Sequence, residues 1–152
     1  MIRPWSKIYG RAVLLLASVL FTLIGLRNVF APLEEASAHA ISLGAPEAVT
    51  IMRAMGSVFV GIAAVLVTSS FSSDAGRLAG LRLLMVVVVS LTVVRVFGLI
   101  ADGPAPFTRR VLVPEIVLVL ISTSAYALER RRQSATGPAD GADKRARSEK
   151  FA

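Results

Sequence analysis

The sequence predicts an all-α, polytopic membrane protein: an antiparallel bundle of four transmembrane helices followed by a disordered basic C-terminal tail. Three observations predict it. Of 152 residues, 55% are hydrophobic and only 18% charged, with a mean hydropathy of +0.69; soluble domains average roughly 45–50% apolar and 25% charged. The apolar residues fall into four runs, each near the ~20 residues needed to cross ~30 Å of hydrocarbon. The basic residues lie mostly outside those runs and on one side of them.

The first span, residues 11–31, opens at Arg11 and meets no further charge until Arg27. The second, 50–72, is uncharged after Arg53 and closes on Ser69, Ser70, Ser72 and Ser73. The third, 81–101, has a dense β-branched section between Met85 and Ser90, with Arg95 as its interior charge. That section does not signal a strand, because an isolated strand leaves its backbone groups unsatisfied in lipid. The fourth, 111–128, carries Pro114 and Glu115 near its start, and a first turn tolerates proline because its N–H has no intrahelical partner. Short connections, of which 33–49 is the longest, force neighbouring helices antiparallel. From residue 129 the composition changes to Arg130, Arg131, Arg132, Gly137, Pro138, Asp140 and Lys144. The chain therefore divides into a transmembrane domain, 1–128, and a disordered cytoplasmic tail, 129–152.

Orientation follows from the basic residues. Arg3, Lys7 and Arg11 before the first span, Arg77 and Arg82 at the second connection, and seven more in the tail place twelve of the seventeen on one side. That side is expected to be cytoplasmic, with both termini on it and a bacterial inner-membrane address. Cleavage of a signal peptide near Ala36, Ser37 and Ala38 fits less well, since the apolar stretch is long for such a segment and the small residues lie beyond its end. Trp5 and Tyr9 read as an interfacial anchor, and His39 as a solvated loop residue. The net charge of +7 then describes orientation and contact with membrane lipids rather than a nucleic-acid partner. A cysteine-free chain with one histidine excludes a disulfide framework, cysteine catalysis and iron–sulfur ligation, and implies no metal site and no cofactor.

Five charges remain at or within the spans, all toward the extracytoplasmic side: Arg27, Arg53, Arg95, Asp102 and Glu115. Arg95 and Glu115 lie roughly 7–10 Å inside their helix ends, where an ionised group must face the bundle and pair. Arg95, Gly98 and Asp102 share one helix face. Gly56, Ser57, Gly61 and Gly98 are small residues suited to close helix approach. The five charges form either a structural ion cluster or a ligand site, in which three arginines against two carboxylates would hold a lipid or quinone headgroup. No activated nucleophile accompanies them, so the protein reads as a non-enzymatic structural, accessory or headgroup-binding membrane protein, compatible with a homo-oligomer or a membrane-complex partner. The alternatives are a small-solute transporter, a subunit of a membrane redox complex, and a membrane enzyme using Asp102 and Glu115 as an acid–base pair.

The stretch Arg53, Ala54, Met55 and Gly56, the later Gly61, and then Arg95, Gly98, Asp102, Gly103 and Pro104 followed by Glu115 resemble a bacterial family of small four-span membrane proteins, domain of unknown function 4345. The resemblance runs from the first span to the fourth and omits the tail. It implies a fold and a membrane address, and brings no activity. Where that family commonly has a second glycine in the second helix, Ser57 stands here; where an acidic residue often precedes the arginine by a turn, Thr50 stands, with Glu47 further back. The four-helix plan is also similar to that of DoxX-type membrane proteins, some of which are respiratory or redox-complex subunits.

Overall fold

The computed structural model describes residues 5–39, 41–101, 103 and 106–136. Five helices are present: α1 (Trp5–Phe30), α2 (Pro32–Ala38), α3 (Pro46–Phe71), α4 (Asp74–Ala101) and α5 (Pro106–Thr136). No strand occurs among the described residues. The four long helices are each long and apolar enough to cross a membrane, as expected of a multi-pass membrane protein.

Their ends differ from the hydropathy boundaries. α4 begins at Asp74 rather than near residue 81, and α5 continues to Thr136. Residues 129–136 are therefore helix, not tail, while 137–152 lie outside the described residues. Apolar content marks only the stretch in hydrocarbon, whereas a helix continues for as long as its backbone and polar side chains find partners. At 31 residues α5 is about 46 Å long, well beyond the ~30 Å of a hydrocarbon core. Pro114 is consequently inside α5, not in its first turn, and leaves the Arg110 carbonyl without its usual helical donor.

The longest connection also carries structure. Pro32 opens α2, with Glu34 and Glu35 in its first turn, a placement that suits the helix N-terminus sterically and electrostatically. α3 repeats the device with Pro46 and Glu47. Between α3 and α4 only Ser72 and Ser73 intervene, and Ser73 Oγ accepts the Gly76 N–H at 3.3 Å, an N-cap contact. This tight reversal presses the helices together: a Cβ on Gly80 would lie 2.4 Å from Ser69 Cβ.

The most extensive packing is between α1 and α3. Toward the α2 end they cross backbone to backbone, since a Cβ on Gly25 would lie 2.7 Å from the Gly56 carbonyl oxygen and one on Gly56 2.7 Å from that of Gly25. Small residues permit this approach where lipid supplies no hydrophobic drive for helix association. Phe21 and Phe59 stack nearby at 5.6 Å. Leu14, Leu66, Leu81, Leu84, Val88 and Ala125 form the buried core, which lies in the half of the bundle nearer the chain ends. In α4 burial stops at Val88, and in α5 it begins at Ser122. Beyond these positions Val94, Phe97, Ile100, Val113 and Leu120 face outward, as apolar side chains do when lipid is the solvent.

Candidate functional site

Four antiparallel helices have two polar ends. At the end of the bundle carrying α2, Arg95 on α4 donates through Nε to Glu115 Oε1 on α5 at 2.5 Å. The pair is largely sheltered, with side chains 28% and 12% exposed. Glu115 Oε2 is buried and accepts no hydrogen bond among the described residues. Arg27, at the end of α1, pairs instead with Glu35 of α2 at 3.5 Å, and His39 Nε2 lies 3.1 Å from the same carboxylate. Arg53 is exposed and forms no ion pair among the described residues. Asp102 lies outside the described residues. Among the described residues, the structure pairs Arg95 with Glu115 and Arg27 with Glu35. Glu35 is brought to Arg27 by α2, a seven-residue helix inside what the sequence presents as a connection.

The expected packing residues also separate. Gly56 is the crossing point with α1; Gly61 is exposed, with open space where its Cβ would be. Ser57 is exposed and its hydroxyl donates to the Ala54 carbonyl at 2.7 Å, while Gly98 is half-buried.

The larger polar assembly lies at the opposite end, where both chain termini emerge. Arg77 of α4 is fully buried, and so is Glu129 of α5. Arg77 donates to Glu129 Oε1 through Nε at 3.0 Å and through Nη2 at 2.9 Å. Arg132, one turn on, donates to both oxygens of Glu129, at 3.1 and 2.8 Å. Asp74 at the start of α4 joins Arg77 and Arg132, the latter at 2.5 Å, and Lys7 of α1 approaches it at 3.7 Å. Gln133 Nε2 donates to the Asp74 carbonyl at 2.6 Å. Two carboxylates are thus shared among two arginines and a lysine, fastening α5 to α4 with α1 at the edge. A buried carboxylate or guanidinium survives only with such partners, and here each supplies the other's. Arg77 Nη1 is buried and has no hydrogen-bond partner among the described residues.

Sequence reading treated Arg77 as a topology marker and Glu129 as the first tail residue. One signal did point to Glu129: it continues the spacing of Ser122 and Ala125, both buried, at three- and four-residue steps along one helix face. The three arginines that follow it obscure that pattern.

Chemically, the α2 end presents one sheltered ion pair with an unfilled acceptor, and the opposite end a network in which arginines meet both carboxylates. No group of three or more potential metal ligands occurs among the described residues. No curated protein and no solved structure matches the chain. Residues 10–126 match the family described as "Domain of unknown function (DUF4345)", a segment that includes Arg77, Arg95 and Glu115 and stops just short of Glu129. With most of its length matched, from the first turns of α1 into α5, the chain belongs to the DUF4345 family.

Proposed function

We propose that this chain is a non-enzymatic integral protein of the bacterial inner membrane, with both termini cytoplasmic, acting as a structural or accessory component. One observation carries this reading: among the described residues, the sheltered carboxylates of α5, Glu115 and Glu129, are each bonded to an arginine of the neighbouring helix. A carboxylate committed to holding two helices together is poorly placed to relay protons to a substrate, which weighs against acid–base chemistry at Glu115. Transport fits less well too, because Leu14, Leu66, Leu84 and Val88, at most 1% exposed, close the interior in the half of the bundle nearer the chain ends.

A second reading is favoured by the buried, unpartnered Glu115 Oε2. Beside Arg95 it offers an acceptor and a cation on one sheltered site, which fits a hydroxyl-bearing lipid headgroup or a quinol. Native mass spectrometry of the gently extracted protein separates the two. The structural reading expects no small molecule whose retention depends on Arg95, together with coupled stability losses in Arg95→Leu and Glu115→Leu. A retained lipid or quinol that disappears in Arg95→Leu moves the assignment to headgroup binding. Independent effects of the two substitutions, with nothing retained through Arg95, contradict both.

A further inference from the structure

The network of Arg77, Glu129, Asp74 and Arg132, a latch between α4 and α5, leaves four described arginines at its end outside it, of which Arg11 lies on α1. Asp74 and Glu129 are taken up by Arg77, Arg132 and Lys7. Arg82, Arg130 and Arg131 are exposed and make no ion pair among the described residues. They are not scattered. Two open grooves, of about 480 and 720 Å³, meet at Tyr126 on the α4–α5 seam; Arg82 lines the first, and Arg130 and Arg131 the second.

The depth of these residues is set by the apolar runs. Arg82 immediately precedes the uncharged stretch 83–94 of α4, and Arg130 follows the uncharged stretch 116–128 of α5 after one intervening residue. Because Glu129 pairs with Arg77, both arginines sit near the plane where the hydrocarbon ends. Their stems can lie along the helices while the guanidinium groups reach the headgroup layer. Toward the membrane centre the grooves are floored by Leu83, Val86 and Met85. A site that is basic at the interface and apolar below it matches one chemistry, a phosphodiester with acyl chains attached.

We propose that the α4–α5 seam around Tyr126 is a seat for an anionic phospholipid, its phosphodiester held by Arg82, Arg130 and Arg131 and its acyl chains lying against Leu83, Met85 and Val86. Guanidinium groups match phosphate oxygens in a forked geometry, and basic recesses between transmembrane helices at an interface are suited to anionic headgroups. The site is separate from Arg95 and Glu115 and does not depend on the role proposed for them.

The test uses the full chain in detergent, titrated by native mass spectrometry with phosphatidylglycerol or phosphatidylcholine. Phosphatidylglycerol should bind preferentially. Replacing all three arginines by alanine should weaken it by on the order of a hundredfold, from roughly fivefold per arginine, with the unfolding midpoint retained because none of the three engages a carboxylate. Should that variant fail to fold, Arg82→Gln and Arg131→Gln, each weakening binding about fivefold, decide the matter singly. A tail variant with Lys144, Arg145, Arg147 and Lys150 changed to alanine should bind as the unaltered chain does. Equal binding of the two lipids, an unaffected arginine variant, or loss of binding in the tail variant would overturn the proposal. Inorganic phosphate competing as strongly as the lipid would overturn it in favour of a simple anion site.

Discussion

Glu129→Ala should be the most destabilising single substitution at the chain-terminal end of the bundle. Arg77 is 0% exposed, and two of its three nitrogens donate to Glu129 Oε1. Without that carboxylate the guanidinium keeps only Asp74, which is 45% exposed and shared with Arg132 and Lys7. Removing one member of a buried pair costs about 3–5 kcal/mol, most of it from the stranded charge. Asp74→Ala removes a half-solvated partner and should cost about 1 kcal/mol or less. The assay is equilibrium unfolding in mixed detergent micelles with increasing dodecyl sulfate, followed by circular dichroism. A double variant, Arg77→Met with Glu129→Leu, removes both charges and should recover most of the loss, so the cycle reports strong coupling. An ordinary interhelical hydrogen bond in a membrane averages about 0.6 kcal/mol. A Glu129→Ala loss of only that size, or additive single effects, would refute the argument that the pair is buried and mutually dependent.

Other expectations follow from the same geometry. Gly56→Ala places a methyl against a backbone oxygen that cannot move aside and should cost about 1–3 kcal/mol, whereas Gly61→Ala, facing open space, should stay within about 0.5 kcal/mol; unfolding curves of the two compare them directly. A chain ended after residue 136 should match the full-length protein in unfolding midpoint. One ended after 128, which lacks Glu129, Arg132 and Gln133, should lose stability comparable to Glu129→Ala, and equal midpoints for the two truncations would place the helix end wrongly. Arg95→Leu should destabilise by about 1–3 kcal/mol and be partly rescued by Glu115→Leu, measured in the same titration.

The four spans were legible because lipid imposes one strong constraint, long runs without charge, and because positive charge segregates around them. That Arg95 and Glu115 each need a partner was legible for the same reason, since a charge inside a span must pair; that they pair with one another comes from the structure. The latch was not legible. Arg77 and Glu129 each sit beside other charges, so that composition assigns both to water, and only the three-dimensional match of two helix ends 52 residues apart withdraws them from it. The pairing of Glu35 with Arg27 was not legible because a seven-residue helix is too short to leave a hydropathy signal. Among the glycines, Gly56 and Gly61 read alike in sequence; the partner Gly25 on α1 distinguishes them, and no pattern within α3 alone reveals it.

In the proposed topology, the four-crossing bundle turns the end holding Arg77 and Glu129 to the cytoplasm. Because the chain has no cysteine, single cysteines report sidedness without background. With a membrane-impermeant maleimide on spheroplasts, Gly44→Cys in the α2–α3 connection should label at once. Ser72→Cys between α3 and α4 and Ala135→Cys near the end of α5 should label only after permeabilisation. Labelling of Ser72→Cys in sealed spheroplasts, or of Gly44→Cys and Ala135→Cys from the same side, would contradict the account.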